Sequence, residues 1–263
     1  MAARSLRHLI RDATLGAGGG LGSAIARTLA REGARVALAD IDLAAASRVA
    51  DEIGATGAQA IAMQWDLGDL AVIDANMARI EHDLGPVEVL VNNTGGPPPT
   101  PVSGQTSALW SQHFQSMLMS VIAITDRVLP GMRERKFGRI VTSTSSGVVT
   151  PIVNLGLSNA LRMTLLGWSK TLAREVGKDG ITCNIVLPGR VATGRIQFLD
   201  EQKAKREGRP VADVTAESNA SIPVGRYGEP QEYADVVAFL ASRNASYVTG
   251  SVIRVDGGLL ANI

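Results

Sequence analysis

The sequence predicts an α/β protein with a doubly wound, parallel, seven-stranded sheet and helices on both of its faces. Short apolar runs alternate with longer segments of helical periodicity along nearly the whole chain, which favours parallel strands joined by crossover helices. The strand candidates are apolar almost throughout, as strands covered on both faces should be. The 28 glycines and the low aromatic content of 4% fit tight strand-to-helix turns around an aliphatic core.

Seven short runs rich in aliphatic residues have strand character. The first is the weakest, because Arg11 and Asp12 stand where continuous Val or Ile would be expected. We therefore expect a short or distorted opening strand. Prolines mark loops after two of the runs, in the stretch 97–101 and at Pro188. The predicted strands are residues 13–15, 35–39, 59–63, 87–92, 139–143, 182–187 and 252–255.

The segments between these strands repeat apolar residues at steps of three and four, which is the period of an amphipathic helix. The clearest stripe contains Leu161, Leu165, Leu172 and Val176. The chain over about 194–222 is polar and charged without strand character, so we interpret it as an inserted helical lid rather than a second domain. The predicted helices cover residues 22–32, 43–53, 70–82, 108–135, 158–177 and 231–241.

Length, charge and cysteine content narrow the functional classes. A chain of 263 residues suits one large α/β domain, which we place at residues 1–263. With 26 Lys and Arg against 25 Asp and Glu, no broad field attracts a polyanion, so we expect no nucleic-acid partner. The lone Cys183 lies in an apolar run, which indicates a buried thiol, and we predict no metal site.

The cellular location is predicted from the same sequence. Residues 1–12 carry several arginines without the apolar core of a signal peptide, and no segment reaches about 18 uncharged apolar residues. We therefore expect a cytoplasmic protein with no membrane partner, which the absence of a disulfide framework also suits. A transit peptide over residues 2–11 is the less favoured alternative, since Ser5 is its only hydroxyl residue.

A glycine-rich turn separates the first predicted strand from the first helix. Gly16, Gly20 and Gly22 form G-x-x-x-G-x-G, where the bare backbone can approach a pyrophosphate and the helix N-terminus can meet its charge. Asp40 ends the second strand, about 20 residues downstream, where a carboxylate can accept both ribose hydroxyls of adenosine and would repel a 2′-phosphate.

These residues predict a dinucleotide site with NAD favoured, and Arg35 and Arg48 keep NADP as the less favoured coenzyme. A merely flexible turn at the glycines and a helix-capping role for Asp40 are the alternative interpretations.

Further motifs extend from Gly16 to Gly258. Residues 92–95 read Asn-Asn-Thr-Gly, residues 181–184 lead into Pro188-Gly189, and the stretch 249–258 ends in Asp-Gly-Gly. In these motifs the chain resembles the short-chain dehydrogenase/reductase family, most closely its 3-oxoacyl-carrier-protein-reductase-like branch, which implies a Rossmann-type fold.

The resemblance implies that Asp66 contacts adenine, that the backbone of Val191 holds the carboxamide of the nicotinamide, and that the Thr193 hydroxyl holds phosphate. The implied cofactor-binding residues are Gly16, Gly20, Leu21, Gly22, Asp40, Asp66, Asn93, Thr94, Gly95, Arg162, Pro188, Gly189, Val191 and Thr193.

The catalytic positions of the family are altered in this chain. Ser145 stands where the family has its substrate-polarising serine, with a one-residue shift to either neighbouring hydroxyl as the alternative. The tyrosine position holds Ser158, the lysine position Arg162 and the asparagine position Met117. Ser158 releases a proton near neutral pH only if a base activates it. Arg162 can donate two hydrogen bonds to the ribose hydroxyls, but its guanidinium group does not release a proton. We therefore predict that slow hydride transfer can survive but efficient carbonyl reduction by the usual route cannot.

No evident residue replaces the missing acid. Tyr227, Tyr233 and Tyr247 are interpreted as packing residues, and His113 as a solvated helix residue. The charged run 203–209 is interpreted as a solvated lid helix rather than a clamp for an anionic substrate.

Three functional hypotheses follow. The leading one is a nicotinamide-dependent oxidoreductase that acts on a small or medium carbonyl or alcohol with altered proton transfer. The second is a catalytically silent cofactor-binding protein or partner subunit. A lyase- or dehalogenase-like reaction through Ser145 and Arg162 is third, because related hydride-free enzymes keep the tyrosine and lose the glycine cradle. The resemblance also implies a homotetramer built through the helix 108–135 and the helix from Ser158.

Overall fold

The computed structural model describes residues 11–263, and the segment 1–10, considered above for targeting, lies outside the described residues. The strands are β1 (Arg11–Leu15), β2 (Arg35–Asp40), β3 (Ala60–Gln64), β4 (Val89–Asn92), β5 (Gly138–Ser143), β6 (Ile181–Pro188) and β7 (Val252–Val255). They form one parallel sheet in the order β3-β2-β1-β4-β5-β6-β7. The chain begins at β1 inside the sheet, adds β2 and β3 on one side and then adds β4 to β7 on the other. The predicted doubly wound class is therefore confirmed.

The helices cover both faces of this sheet. They are α1 (Gly20–Arg31), α2 (Leu43–Ala55), α3 (Ile73–Leu84), α4 (Ser107–Phe114), α5 (Ser120–Arg135), α6 (Gly156–Val176), α7 (Gly194–Glu207), α8 (Val211–Ala220) and α9 (Pro230–Ala241). Ile25 of α1, Val49 of α2 and Val237 of α9 belong to the core on one face. Met77 of α3 and Ile124 of α5 belong to the core on the other. Among the described residues, no helix combines the length and apolar character that a membrane span requires.

The opening strand differs from its prediction. It has five described residues and begins at Arg11, so the expectation of a short strand was wrong. The reason is that β2 and β4 pair with it on both sides, opposite Val36 and Val89 at Asp12, and supply the ladder that the local sequence does not favour. Asp12 is 1% exposed, and burial raises the pKa of its carboxyl to about 7 despite a 2.7 Å hydrogen bond from Thr14 Oγ1 to its Oδ2.

The single helix predicted over 108–135 is also corrected. A turn of π-helix, Gln115–Met119, separates α4 from α5. The chain stays helical through the turn, but the wider hydrogen-bonding pattern accommodates one extra residue, which the apolar periodicity does not reveal. Pro130 lies within α5 without ending it. Met117 is therefore placed in the π-turn, with 2% of its surface exposed.

Candidate functional site

The glycine turn after β1 is tightly packed on the side that faces the protein and open on its outer side. Gly16 has φ of +59°, a left-handed conformation that glycine adopts without strain. A Cβ at Gly16 would collide with the carbonyl oxygen of Asn93, and a Cβ at Gly22 would collide with that of Gly16. At Gly19, however, a Cβ would meet only the Gly16 oxygen, at 4.0 Å. The turn therefore needs bare backbone below and leaves space on its outer side.

This turn presents the unpaired N-terminus of α1. Gly19 is the N-cap and no side chain of the described residues caps it, so the amides of Gly20, Leu21 and Gly22 have no capping partner. Asn93 Nδ2 donates to Gly16 O at 3.3 Å, which ties the turn after β4 to the glycine turn. Bare backbone and uncapped helix amides together suit the pyrophosphate of a dinucleotide.

Asp40 lies beside the glycine turn at the carboxyl end of β2. Its Oδ2 accepts the Gly18 amide at 2.8 Å and its Oδ1 accepts the Asp42 amide at 3.0 Å. The capping alternative does not apply, because Asp42 is the N-cap of α2 and accepts from Ala45 N. Arg35 begins the same strand, roughly 17 Å away from Asp40 along it, so it lies at the amino end of the strand, far from the glycine turn.

The other positions implied by the family resemblance follow the carboxyl ends of β3 and β6. Asp66 is exposed, and its Oδ1 accepts the Gly68 amide at 2.8 Å. Pro188 ends β6, and a Cβ at Gly189 would lie 2.6 Å from the Cα of Asp256, so glycine is needed there for close packing. Ligands of open parallel sheets bind at this edge.

Thr193 occupies the approach to α7. Its hydroxyl donates to Val191 O at 3.2 Å and accepts from Ile196 N at 3.4 Å, which makes it the N-cap of α7. Its side chain also packs on the glycine turn, because a Cβ at Gly20 would lie 2.6 Å from Thr193 Cγ2. The loop before α7 and the start of α1 therefore border the same groove.

Arg162 lies at the base of the cleft and braces its two central turns. Its Nη2 donates to Thr94 O at 3.0 Å and to Gly95 O at 2.9 Å, and its Nη1 donates to Ser143 O at 3.3 Å. Burial, followed by the charge of Arg195, lowers the pKa of Arg162 to about 10, so the side chain stays cationic at neutral pH. The resemblance implies that Arg162 donates hydrogen bonds to the ribose. In the structure, three of its five N–H donors are used on backbone carbonyls.

No basic side chain of the described residues forms a hydrogen bond with either of the two candidate serines. Ser158 lies one helical turn before Arg162 and is 6% exposed, and its hydroxyl forms no hydrogen bond with another described residue. Ser145 is half-buried, and its hydroxyl accepts the Gly147 amide at 3.1 Å to cap the 3₁₀ turn Ser146–Val148. Met117, at the position where the resemblance implies an asparagine, offers no hydrogen-bond donor. The arrangement can orient a polar group but contains no evident proton relay.

Tyr233 is a neighbour of this site that sequence reasoning set aside as packing. It is fully buried, and its hydroxyl lies 2.8 Å from Ser143 Oγ and 3.2 Å from Val186 O. Burial raises its pKa well above the ordinary value, so it holds its proton and ties the ends of β5 and β6 together. By contrast, Tyr247 is fully exposed, and half-buried His113 has its pKa lowered by burial.

Arg195 was missed, although it follows Thr193 by only two residues. It lies in the first turn of α7, and its Nη2 donates to Pro97 O at 2.8 Å across the cleft. Arg195 therefore brings a charged side chain of α7 to the cleft. A charged side chain directly after the loop that the resemblance assigns to the coenzyme was the signal that could have identified it.

The lid is held by a buried carboxylate. Asp200 is 3% exposed and accepts hydrogen bonds from Arg190 Nη1 at 2.9 Å and from the Tyr227 hydroxyl at 2.6 Å. Thr215 of α8 adds a longer contact at 3.5 Å. A cavity of about 400 Å³ lies beside this cluster and is also lined by Thr193. These contacts join the two lid helices to the loop that follows β6.

Comparisons with known proteins agree with this geometry. Residues 16–260 match the family model described as Enoyl-(Acyl carrier protein) reductase. The chain is 35% identical over 246 residues to the 3-oxoacyl-[acyl-carrier-protein] reductase FabG of Escherichia coli strain K12, covering 93% of this chain and 94% of that protein.

Solved structures are similar over the whole fold. YwfH, described as an NADPH dependent reductase involved in bacilysin biosynthesis, has a TM-score of 0.92 and 27% identity, covering 97% of this chain and 100% of that chain. L-Sorbose reductase from Gluconobacter frateurii, complexed with NADPH and L-sorbose, has a TM-score of 0.91 and 27% identity, covering 97% of this chain and 98% of that chain.

Proposed function

Because the chain belongs to the short-chain dehydrogenase/reductase family, in its 3-oxoacyl-carrier-protein-reductase-like branch, we propose that it transfers a hydride between a nicotinamide coenzyme and a small or medium carbonyl or alcohol, with an atypical proton-transfer site. The observation that carries the coenzyme part is the bare, uncapped glycine turn with Asp40 bonded to its edge. The atypical part rests on Ser158 and Arg162, which stand at the family's tyrosine and lysine positions.

The choice between the two coenzymes has support on each side. Asp40 carries a negative charge where NADP has its extra phosphate, which favours NAD. The two solved relatives are described with NADPH, which favours NADP. The expectation of NAD is therefore not supported by these relatives, and the proposal names the nicotinamide dinucleotide class.

The residues have separable roles in this proposal. When bound, the nicotinamide would supply or accept the hydride. The amides of Gly20–Gly22 bind the pyrophosphate, and the Ser145 hydroxyl orients the substrate oxygen. Arg162 holds the Thr94–Gly95 turn and donates no proton, because its pKa of about 10 keeps it charged. The proton of the alcohol must then come through solvent or a serine hydroxyl, which makes the reaction slow.

Restoring the family's acid tests this assignment. We expect wild-type protein to bind NADH or NADPH by calorimetry and to turn over ketones slowly. The double substitution Ser158→Tyr with Arg162→Lys is expected to raise the rate by roughly 10²–10⁴, the range that a positioned acid contributes. The two single substitutions serve as controls and should each give less. Wild-type protein that binds neither coenzyme would contradict the proposal.

A catalytically silent coenzyme-binding protein is the second candidate. Two observations favour it. The guanidinium of Arg162 is engaged by three backbone carbonyls, and the Ser158 hydroxyl has no hydrogen-bond partner among the described residues that could activate it. Coenzyme binding without wild-type turnover on a broad carbonyl and alcohol panel, together with turnover in the double variant, would establish this candidate instead.

A cytoplasmic homotetramer completes the proposal. The family resemblance implies packing through α4, α5 and α6, and large apolar side chains are exposed on α4 and α6.

A further inference from the structure

We propose that Arg162 and Arg195 together form a carboxylate-recognition site, so that the substrate is a small oxo or hydroxy acid rather than a neutral carbonyl compound. This inference rests on the proposed oxidoreductase function and specifies its substrate class.

The two guanidinium groups converge on one point of the cleft, the backbone at Gly96. A Cβ built on Gly96 would lie 3.2 Å from Arg195 Nη2 and 3.8 Å from Arg162 Nη2. Arg162 approaches from α6 and Arg195 from the first turn of α7. Two cations from different elements therefore flank the same short stretch of backbone, next to the turn at Gly95.

Neither cation has a counter-charge. No carboxylate of residues 11–263 forms a salt bridge within 4.0 Å with Arg162 or Arg195. After burial, the main cause that lowers the pKa of Arg162 is the positive charge of Arg195. Burial also lowers the pKa of Arg195. Arg162 is buried, whereas the Arg195 residue is exposed overall and only its guanidinium end is partly desolvated. Because a buried cation such as Arg162 is costly without a counter-ion, an anion between the two groups would be favoured.

Basic residues elsewhere in the lid show the contrast. Lys203 and Arg209 both pair with Glu217, and Arg190 pairs with Asp200. Three of the four basic side chains of the run 203–209 therefore have a carboxylate partner within the protein. Arg162 and Arg195, by contrast, flank the cleft without a carboxylate partner among the described residues.

Arg195 supplies most of the free hydrogen-bond donors for a carboxylate, because only one of its N–H groups is used, on Pro97 O. Arg162 uses both N–H groups of Nη2 on Thr94 O and Gly95 O and one of Nη1 on Ser143 O, so it contributes mainly its positive charge. A guanidinium has five such donors in a planar fork that matches the two oxygens of a carboxylate. The Phe198 ring lies 5.7 Å from Arg195 Cζ and helps to hold this side chain over the cleft. The N-terminus of α7 adds a further favourable charge for an anion.

The position of the pair separates it from the coenzyme phosphates. The amides of Gly20–Gly22 already suit the pyrophosphate, whereas the arginines flank Gly96, beyond the turn that Arg162 braces. Ser158 lies one helical turn before Arg162, so an acid held here would have its oxo carbon near the altered catalytic positions. A 3-oxoacyl thioester presents no free carboxylate at this end.

The test measures acid recognition without requiring turnover. Binding of C3–C6 2-oxo and 3-oxo acids and of their methyl esters is compared by calorimetry, with and without NADPH, for wild type and Arg195→Gln. We expect at least one acid to bind wild type roughly tenfold or more tighter than its ester, and Arg195→Gln to remove this difference. Coenzyme affinity and ester affinity should stay unchanged. Arg206→Gln, on the same helix and with the same charge change, is the matched control and should keep the preference.

Two outcomes overturn the inference. One is that no acid of the panel binds wild type more tightly than its ester. The other is that Arg195→Gln weakens the coenzyme as much as the acid, which would make Arg195 a phosphate contact. Loss of coenzyme binding in wild type contradicts the proposed function instead, and the acid titration without coenzyme keeps the two failures distinct.

Discussion

The Asp40 carboxylate accepts the Gly18 amide at 2.8 Å, and in the proposed coenzyme site it would face the adenosine ribose. A 2′-phosphate at this point would experience repulsion from a full negative charge. Asp40→Ser is therefore expected to raise the affinity for NADPH relative to NADH by roughly tenfold or more. Asp42→Ser is the control, because it removes an equal charge nearby and still provides an N-cap for α2. An unchanged ratio of dissociation constants in Asp40→Ser would show that the carboxylate does not face the ribose.

Asp12 makes the stability of the fold depend on pH. Burial raises the pKa of its carboxyl to about 7 from 3.8, so the folded protein holds this proton where the unfolded chain has lost it. Its stabilising effect is complete below about pH 4 and is lost as pH rises to about 7, amounting to roughly 4 kcal/mol. Asp12→Asn should flatten this dependence in urea unfolding between pH 4 and 7. Exposed Asp51→Asn should retain the wild-type slope, and an equal slope in Asp12→Asn would contradict the assignment.

Among the elements, the lid depends on one buried carboxylate. Asp200 joins Arg190 of the loop after β6 to Tyr227, and breaking a buried pair by removing one partner costs roughly 3 kcal/mol or more. Asp200→Ala is therefore expected to lower the unfolding free energy by about this amount and to make α7 and α8 sensitive to limited proteolysis. Exposed Glu201→Ala on the same helix should do neither. Proteolysis of Asp200→Ala at the wild-type rate would show that the lid is held by other contacts.

Local sequence signals predict most of the elements and the position of the glycine turn. The glycine turn, β2 and Asp40 follow each other within a short stretch, so hydrophobic periodicity and residue spacing were enough to locate them in the fold. The π-turn was not predictable, because one extra residue in a helix leaves the apolar pattern almost unchanged. The brace from Arg162 to Thr94 and the contact from Arg195 to Pro97 join residues far apart in sequence. Such contacts could not be predicted from local sequence, because they form only when distant segments are brought together by the order of the strands in the sheet.

For the whole molecule, exposed apolar side chains on α4 and α6 predict self-association. Phe114 is 44% exposed and Met163 46% exposed, and Val153, just before α6, is 82% exposed. Apolar surface of this kind marks interfaces, and the family resemblance implies two-fold packing through these same helices. We expect light scattering of the purified protein to give the mass of four chains. The double substitution Phe114→Asp with Met163→Asp should reduce this to two chains or one, because burying two carboxylates in the interface is unfavourable.

The control for this assembly is Leu43→Asp, which places a carboxylate on α2, where the wild-type side chain is 42% exposed. This variant should keep the mass of four chains, because the resemblance assigns α2 no part in the two-fold contacts. If subunit packing stabilises the chain, the wild-type midpoint of unfolding should also rise with protein concentration, whereas that of the double variant should not. A wild-type protein that runs as a monomer at all concentrations would contradict the tetramer, and the exposed side chains of α4 and α6 would then be ordinary surface residues.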